Sequence, residues 1–442
     1  MKNTFILLLF LVAVTVVNSR TEPVNERIWN IVEEITATHR EIYIDLHQNP
    51  ELSLMEFETS KKMADNLETM GFEVTRSVGG NGVVGVLRNG PGKVIMLRTD
   101  MDALPIKETT GLPYASRVVA MDASGAEVPV MHACGHDMHM TMWLGTLKTL
   151  VIMKDEWQGT IVAVAQPAEE LLAGAKDMIN DGLFNRFPVP DYALAYHVNS
   201  HVPAGSIVYC PGPSHAGTRA ADIKIFGSGG HGAMPHNTID PIVLASRIIL
   251  DLQTIISREI DPIKPAVITV GSIKGGAKHN IIPDEVEMLL TIRFFEDEVY
   301  EQIKEAIIRI CRGVALSAGL KEDRMPLITF TDQYTPPVDN DPELVMRAVS
   351  SMGNILGQDK VIRIPPRTAA EDFGRYGRTP ENIPVAMISV GSANHELYHD
   401  HVHHGAFLPP VHHSGYVPDF YPTFRNGVAA MSRALLDLFG QR

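Results

Sequence analysis

Residues 131–139 read MHACGHDMH, which places Cys134 and His136 two apart across Gly135. A loop there can turn both side chains toward one ion, because thiolate and imidazole both bind zinc and similar metals. Asp137 and His139 stand close enough to orient them; the competing reading is a polar helix start with Asp137 near the N-cap. A second candidate is the pair Glu169-Glu170, in VAVAQPAEE just past an apolar run. On extended backbone, neighbouring side chains point opposite ways, so one carboxylate can hold a metal while the other meets a water near it. Most Glu-Glu pairs are solvated, and what raises this one is its place after a buried-looking strand. His197 ends the run DYALAYH, either as a ligand or as a satisfied core imidazole. Histidine is the commonest metal ligand among side chains. Of the 18 in the chain, His395, His399, His401, His403, His404, His412 and His413 crowd one segment near the end. Gly405, Pro409, Pro410 and Gly415 mark that segment as irregular structure, and most of its histidines fit a solvent-facing loop.

These groups need a scaffold. Apolar spacing over residues 23–46 (Ile28, Ile31, Val32, Ile35, Ile42, Ile44, Leu46) predicts a helix buried on one face, and a second over 56–70 stops at Gly71. Short strands are expected at 72–74, 83–87 and 94–97, separated by GGNG and NGPG turns. The last leads into RTDMDALP, and charged residues at the end of an apolar strand are a usual active-site edge in an α/β sheet. A helix at 139–151, a strand at 160–166, a helix at 173–181 and a strand at 192–197 continue the alternation. The fold class is therefore α/β, with a mainly parallel sheet covered by helices. Past residue 215 the order becomes strand 221–226, helix 241–257, strands 266–273 and 286–295, helix 298–318 and strand 327–330. That is an α+β unit of ferredoxin-like type. The expected organisation is a catalytic domain in two parts, 20–214 and 331–442, interrupted by an inserted domain at 215–330.

At 442 residues the chain is long enough for two or three domains. Its 45% apolar and 20% charged residues are those of a globular protein rather than a disordered or fibrous one. A formal charge of -14 with no basic run excludes nucleic acid as a partner, because phosphate neutralisation needs clustered Lys and Arg. Residues 1–19 read as a secretory signal peptide: Lys2 precedes an apolar run over 5–17, and Val17-Asn18-Ser19 suits cleavage. The run is shorter than the roughly 20 residues of a spanning helix, so the expectation is export, periplasmic or extracellular, with no membrane segment in the mature form. The cysteines are Cys134, Cys210 and Cys311, an odd set that leaves at least one thiol unpaired. Cys134 suits a metal; the other two suit the core.

Taken in order, these pieces resemble the metal-dependent aminoacylase and carboxypeptidase family, specifically its amidohydrolase branch of hippurate hydrolases, bacterial N-acyl-amino-acid amidohydrolases and plant auxin-conjugate hydrolases. The matching segments are LHQNPELS (46–53), RTDMDALPI (98–106), MHACGHDMH, QPAEE, YHV (196–198), GSGGHGAMPH (227–236), HNIIPDEV (279–286), AAEDF (369–373) and a terminal HS. They span nearly the whole mature chain.

The resemblance implies two divalent metal ions, zinc or manganese, with Cys134, His136, Glu170, His197 and a histidine near the C-terminus as ligands. His413, followed by Ser414, fits the family register best, and His412 is its competitor. Glu169 would be the general base and Asp102 the partner of a ligand imidazole, whereas Asp100 stays outside the site. The inserted domain resembles a dimerisation or lid domain, in which His231, Asn280 and Arg293 would grip the substrate, in some relatives across a homodimer interface. The implied activity is hydrolysis of N-acyl or N-aroyl amino acids to a carboxylic acid and a free amino acid. Alternatives are a carboxypeptidase or dipeptidase on the same site, or a noncatalytic metal-binding protein, against which the intact Glu169 argues.

Overall fold

The computed structural model describes residues 23–332 and 334–440. The expected signal peptide at 1–19 lies outside the described residues. The main sheet has eight strands, in the order Glu73–Val78, Gly82–Asn89, Gly159–Gln166, Val94–Asp100, Tyr192–Pro203, Val385–Ala393, Ile207–Tyr209 and Val361–Arg363. The central four, Gly159–Gln166 through Val385–Ala393, run parallel, with Gly82–Asn89 and Ile207–Tyr209 antiparallel on either side. Successive strand residues face opposite sides. Ile95 and Leu97 accordingly join a core under the helices Val24–Gln48, His136–Ile152, Pro342–Leu356 and Phe420–Phe439. Met96, between them, joins a second core on the opposite face, closed by Gly174–Asn180 and the turn Asp372–Arg378.

The first helix buries Ile28, Ile31, Val32 and Ile35, as its spacing predicts. The central helix begins at His136 rather than at His139, because Gly135 holds φ 81 and ends the loop there. A Cβ on Gly135 would also lie 2.7 Å from Val198. Nearly every residue of this helix is buried, so no amphipathic stripe marks its start. It crosses Phe420–Phe439 closely: a Cβ on Gly145 would sit 2.8 Å from Val428, and one on Gly427 2.5 Å from Met142 Sδ. Trp143 is fully buried and its Nε1–H donates to the Leu97 carbonyl at 2.9 Å, which fastens the helix to the strand that ends at Asp100. Truncating it to Ala would cost about 3–5 kcal/mol.

Between the paired strands Gly212–His215 and Val338–Asn340 the chain forms a separate antiparallel sheet, ordered Val267–Gly275, Glu285–Phe294, Gly217–Phe226, Leu327–Phe330. Helices Pro241–Thr254 and Asp297–Ser317 cover one face, sharing a core that includes Ile223, Met288, Leu290, Ile303 and Ile307. Exposure alternates along most of Glu285–Phe294, the period-2 pattern of a sheet covered on one side.

The histidine-rich segment departs from the expected irregular loop, because His395–His404 is a helix. Asn394 caps it, its Oδ1 accepting from the N–H groups of Glu396 and Leu397 at 3.1 and 3.3 Å, and left-handed Gly405 ends it. Gly405 and the prolines that suggested irregularity lie past its end. Among the described residues no helix is long and apolar enough to cross a membrane.

Candidate metal centre

Asp100 pairs with Gln166 at the ends of two parallel strands, so the segments that follow them emerge at one edge of the sheet, the usual place for an α/β site. Helix residue His136 starts at this edge. His197 lies on Tyr192–Pro203 beyond its last residue paired with the strand of Asp100, level with Ser389 on the other side.

Glu169 and Glu170 are not on the extended backbone the sequence suggested. Ala168 (φ 50) and Leu172 (φ 54) take left-handed conformations that cost of order 1–3 kcal/mol each and close a turn. Within it the Leu172 N–H donates to the Glu169 carbonyl at 2.6 Å, and buried Glu56 braces it by accepting the Ala168 N–H at 2.8 Å. Both carboxylates therefore converge, Glu169 Oε2 at 3.8 Å and Glu170 Oε1 at 3.9 Å from His136 Nε2. Cys134 Sγ lies 3.6 Å from His197 Nε2 and 3.3 Å from His412 Nε2, which is 3.4 Å from Glu170 Oε1.

Hydrogen bonds behind the cluster aim its lone pairs inward. The Nδ1–H of His136 donates to the Asp102 carbonyl at 2.8 Å, and that of His197 to the Val198 carbonyl at 2.6 Å, which leaves Nε2 of each ring as the atom a metal would take once the ring is neutral. His139 is used otherwise: its Nδ1 meets Asp100 Oδ1 at 2.7 Å and its Nε2 accepts the Val198 N–H at 2.8 Å. Its ring stands between those of His136 and His197, with centroids 5.2 and 4.7 Å away.

The residues fit a divalent metal. His136 Nε2 and Glu170 Oε1 are buried without a hydrogen-bond partner, a costly state that a cation would relieve. Burial, then the Glu170 and Glu169 carboxylates, hold the Cys134 thiol well above its ordinary range. Burial, then Glu371 and Glu170, do the same to the Glu169 carboxyl. Burial would lower the His136 imidazole, but Asp100 and Asp102 outweigh it and push its pKa up to about 10. In all three groups the neighbouring buried carboxylates push the same way, and divalent cations would neutralise that charge while freeing the thiolate and carboxylate to bind.

Of the expected ligands, Cys134, His136, Glu170 and His197 come together, and His413 does not. His412 takes its place: its N–H donates to the Ala133 carbonyl at 2.7 Å and its φ is 67, which brings the imidazole onto Cys134 and Glu170. His413 is engaged elsewhere, its Nδ1 accepting the Gly415 N–H at 3.0 Å and its ring edge-on to Phe407 at 5.0 Å. Asp102 Oδ2 accepts Ser53 Oγ–H at 2.6 Å and the Glu170 N–H at 3.0 Å, and its Oδ1 is 3.3 Å from His136 Nδ1.

Asp100, expected outside the site, lies within it, its Oδ2 3.8 Å from His136 Nε2. Behind it is a network that sequence reasoning missed. Buried Arg98 donates to Asp100 Oδ2 at 2.7 Å, Glu371 Oε1 at 3.0 Å, Asp372 Oδ1 at 3.2 Å and Gln166 Oε1 at 3.0 Å. The available signal was the i,i+2 spacing of Arg98 and Asp100, which puts both on one face of the strand.

The expected substrate residues lie on the smaller sheet and its loops. Exposed His231 pairs with Ile281 across a short ladder, and the Asn280 carbonyl accepts the Gly232 N–H at 2.9 Å. Arg293 Nη1 donates to Thr218 Oγ1, to Thr291 Oγ1 at 2.6 Å and to the Ile292 carbonyl at 3.2 Å. Within one chain, none of the three hydrogen-bonds to the metal cluster among the described residues.

The sequence model of peptidase family M20/M25/M40 matches residues 96–409. Thermostable carboxypeptidase 2 of Saccharolobus solfataricus is 39% identical, over 85% of this chain and 92% of the relative. Hippurate hydrolase of Campylobacter jejuni is 37% identical, over 78% of this chain and 88% of its own. Among solved structures, the Bacillus subtilis YXEP protein, described as a dinuclear metal-binding peptidase of the M20 family, superposes with a TM-score of 0.76 at 28% identity, covering 92% of this chain and 99% of the other.

Proposed function

The chain belongs to peptidase family M20/M25/M40 and is a metal-dependent amidohydrolase, and from that premise we propose that it hydrolyses N-acyl or N-aroyl amino acids to a carboxylic acid and a free amino acid. The observation that carries this reading is the convergence of Cys134, His136, Glu170, His197 and His412 with a second carboxylate, Glu169, turned onto the same imidazole. A pure metal binder has no use for that extra carboxylate.

In the proposed reaction Glu169 takes a proton from the attacking water and passes it to the departing amide nitrogen. The five converging residues would hold two divalent ions, zinc or manganese, which when bound supply Lewis-acid charge at the amide carbonyl and acidify water. Asp102 keeps His136 in one orientation through its carbonyl and carboxylate. Arg293, whose hydrogen-bond acceptors are all neutral oxygens, keeps its charge for a substrate carboxylate. With His231 and Asn280 it would reach the site of a second copy, so a homodimer through the smaller sheet belongs to the reading. So does export, on the strength of residues 1–19.

A second reading, carboxypeptidase or dipeptidase action, is favoured by the carboxypeptidase at 39% identity. Both are tested by assaying purified protein, reloaded with zinc or manganese, on N-benzoyl and N-acetyl amino acids beside unblocked dipeptides. Preference for blocked amino acids supports the first reading, preference for free dipeptides the second, and turnover of neither class overturns both.

A further inference from the structure

The histidines that the catalytic cluster leaves unused are gathered on one helix. Within His395–His404, the residues His395, His399 and His403 recur every fourth position and so share a face. The rings of His399 and His403 stand 4.4 Å apart and those of His399 and His404 6.0 Å. His399 Nδ1 is 3.5 Å from Asp400 Oδ1. One donor atom from each of His399, Asp400 and His404 lies within 4.8 Å of the other two. His401, in contrast, is tied to the Ala406 carbonyl at 2.8 Å.

We propose that His399, Asp400 and His404 form a surface site for one divalent transition-metal ion of the zinc and copper class, with His403 in reach as a fourth ligand, separate from the catalytic centre. Imidazoles with one carboxylate suit these metals better than magnesium or calcium, which prefer all-oxygen shells. Tetrahedral zinc with bonds of about 2.0–2.1 Å sets its ligand atoms about 3.3 Å apart. The capped helix already fixes the backbone, so closing the remaining distance takes only side-chain rotation at an exposed face. The helix packs against Tyr192–Pro203, which carries His197, and leads through Gly405 to His412. An ion held there would stiffen the segment that delivers His412 to the catalytic cluster.

The test is equilibrium dialysis of the zinc-loaded full chain against zinc alone, comparing wild type with the triple variant His399→Gln, His403→Gln and His404→Gln. Wild type should bind one equivalent of zinc per chain more than the triple variant, with hydrolytic turnover retained in both. His236→Gln, an exposed histidine elsewhere, should keep the additional equivalent. Should the triple variant fold poorly, His399→Gln alone gives the same readout as a weakened additional site. Equal zinc stoichiometry in wild type and these helix variants overturns the proposal.

Discussion

His412 and Cys134 lie 278 positions apart in sequence, yet Nε2 of one is 3.3 Å from Sγ of the other. The link is backbone: the His412 N–H reaches the Ala133 carbonyl, so the segment after the histidine-rich helix is stapled to the loop that carries Cys134. A cluster built from residues 134, 136, 170 and 197 is thus completed from near the end of the chain.

That relationship separates two adjacent histidines. His412→Ala should lower metal occupancy and reduce kcat/KM by at least about tenfold, since even partners behind metal ligands cost about 10–100-fold. His413→Ala should leave both within twofold of wild type. Metal analysis alongside kinetics checks this, and the reverse ranking would return the ligand role to His413.

The His139 ring stands between those of His136 and His197, and both its nitrogens are already engaged, Nδ1 with Asp100 and Nε2 accepting the Val198 N–H. Replacing it by Phe keeps a ring between His136 and His197 but removes the bonds to Asp100 and Val198. Metal affinity, measured by competition with a chelating dye, should fall about 10–100-fold. Unchanged affinity would mean that the ligands need no such brace.

A buried ion pair beneath the site sets a pH dependence of stability. His47 lies 2.7 Å from Asp137 Oδ2 and 3.1 Å from Glu108 Oε1. Burial would lower its pKa, but the two carboxylates outweigh it and push it up to about 10. Burial likewise pushes the Asp137 and Glu108 carboxyls up, and the bonds to His47 outweigh it and hold both below the usual range. A raised histidine stabilises fully below its unfolded value of about 6.5 and loses that contribution as pH climbs through about 10. The depressed carboxyls act in the other direction, losing theirs only in acid. His47→Gln should therefore destabilise the protein by about 3–5 kcal/mol at pH 6. The gap to wild type should narrow toward pH 10. Urea unfolding of both proteins at the two pH values measures it, and a gap independent of pH would contradict the assignment.

Much of the fold was legible because burial is periodic. Met96 between Ile95 and Leu97 marks a strand covered on both faces, and the alternation in Glu285–Phe294 marks one covered on a single face. The start of the central helix was not, since a helix buried all round carries no stripe and the signal at Gly135 is one glycine among 35. The grouping of Cys134, His136, Glu170 and His197 was legible because HACGHD leads into a helix and the Glu pair follows an apolar strand, although His197 lies inside its strand, which runs on to Pro203, rather than at its end. His412 could not be told from His413 by spacing, because a left-handed φ and one backbone hydrogen bond decide between neighbours. Asp100 was missed for a related reason: its role depends on Arg98 and on His136 and His139 arriving from another element. Flanking glycine and prolines hid the helix His395–His404, whose cap Asn394 is the local signal that outweighs them.

In the proposed reaction Glu169 moves the proton at a metal centre it does not need to hold. Glu169→Gln keeps the size of the side chain and removes its basicity, so kcat on an N-benzoyl amino acid, measured with bound metal per chain, tests the claim directly. The expected result is wild-type metal content with kcat reduced by about 10²–10⁴-fold. A fully metal-loaded variant that turns over at the wild-type rate would contradict it.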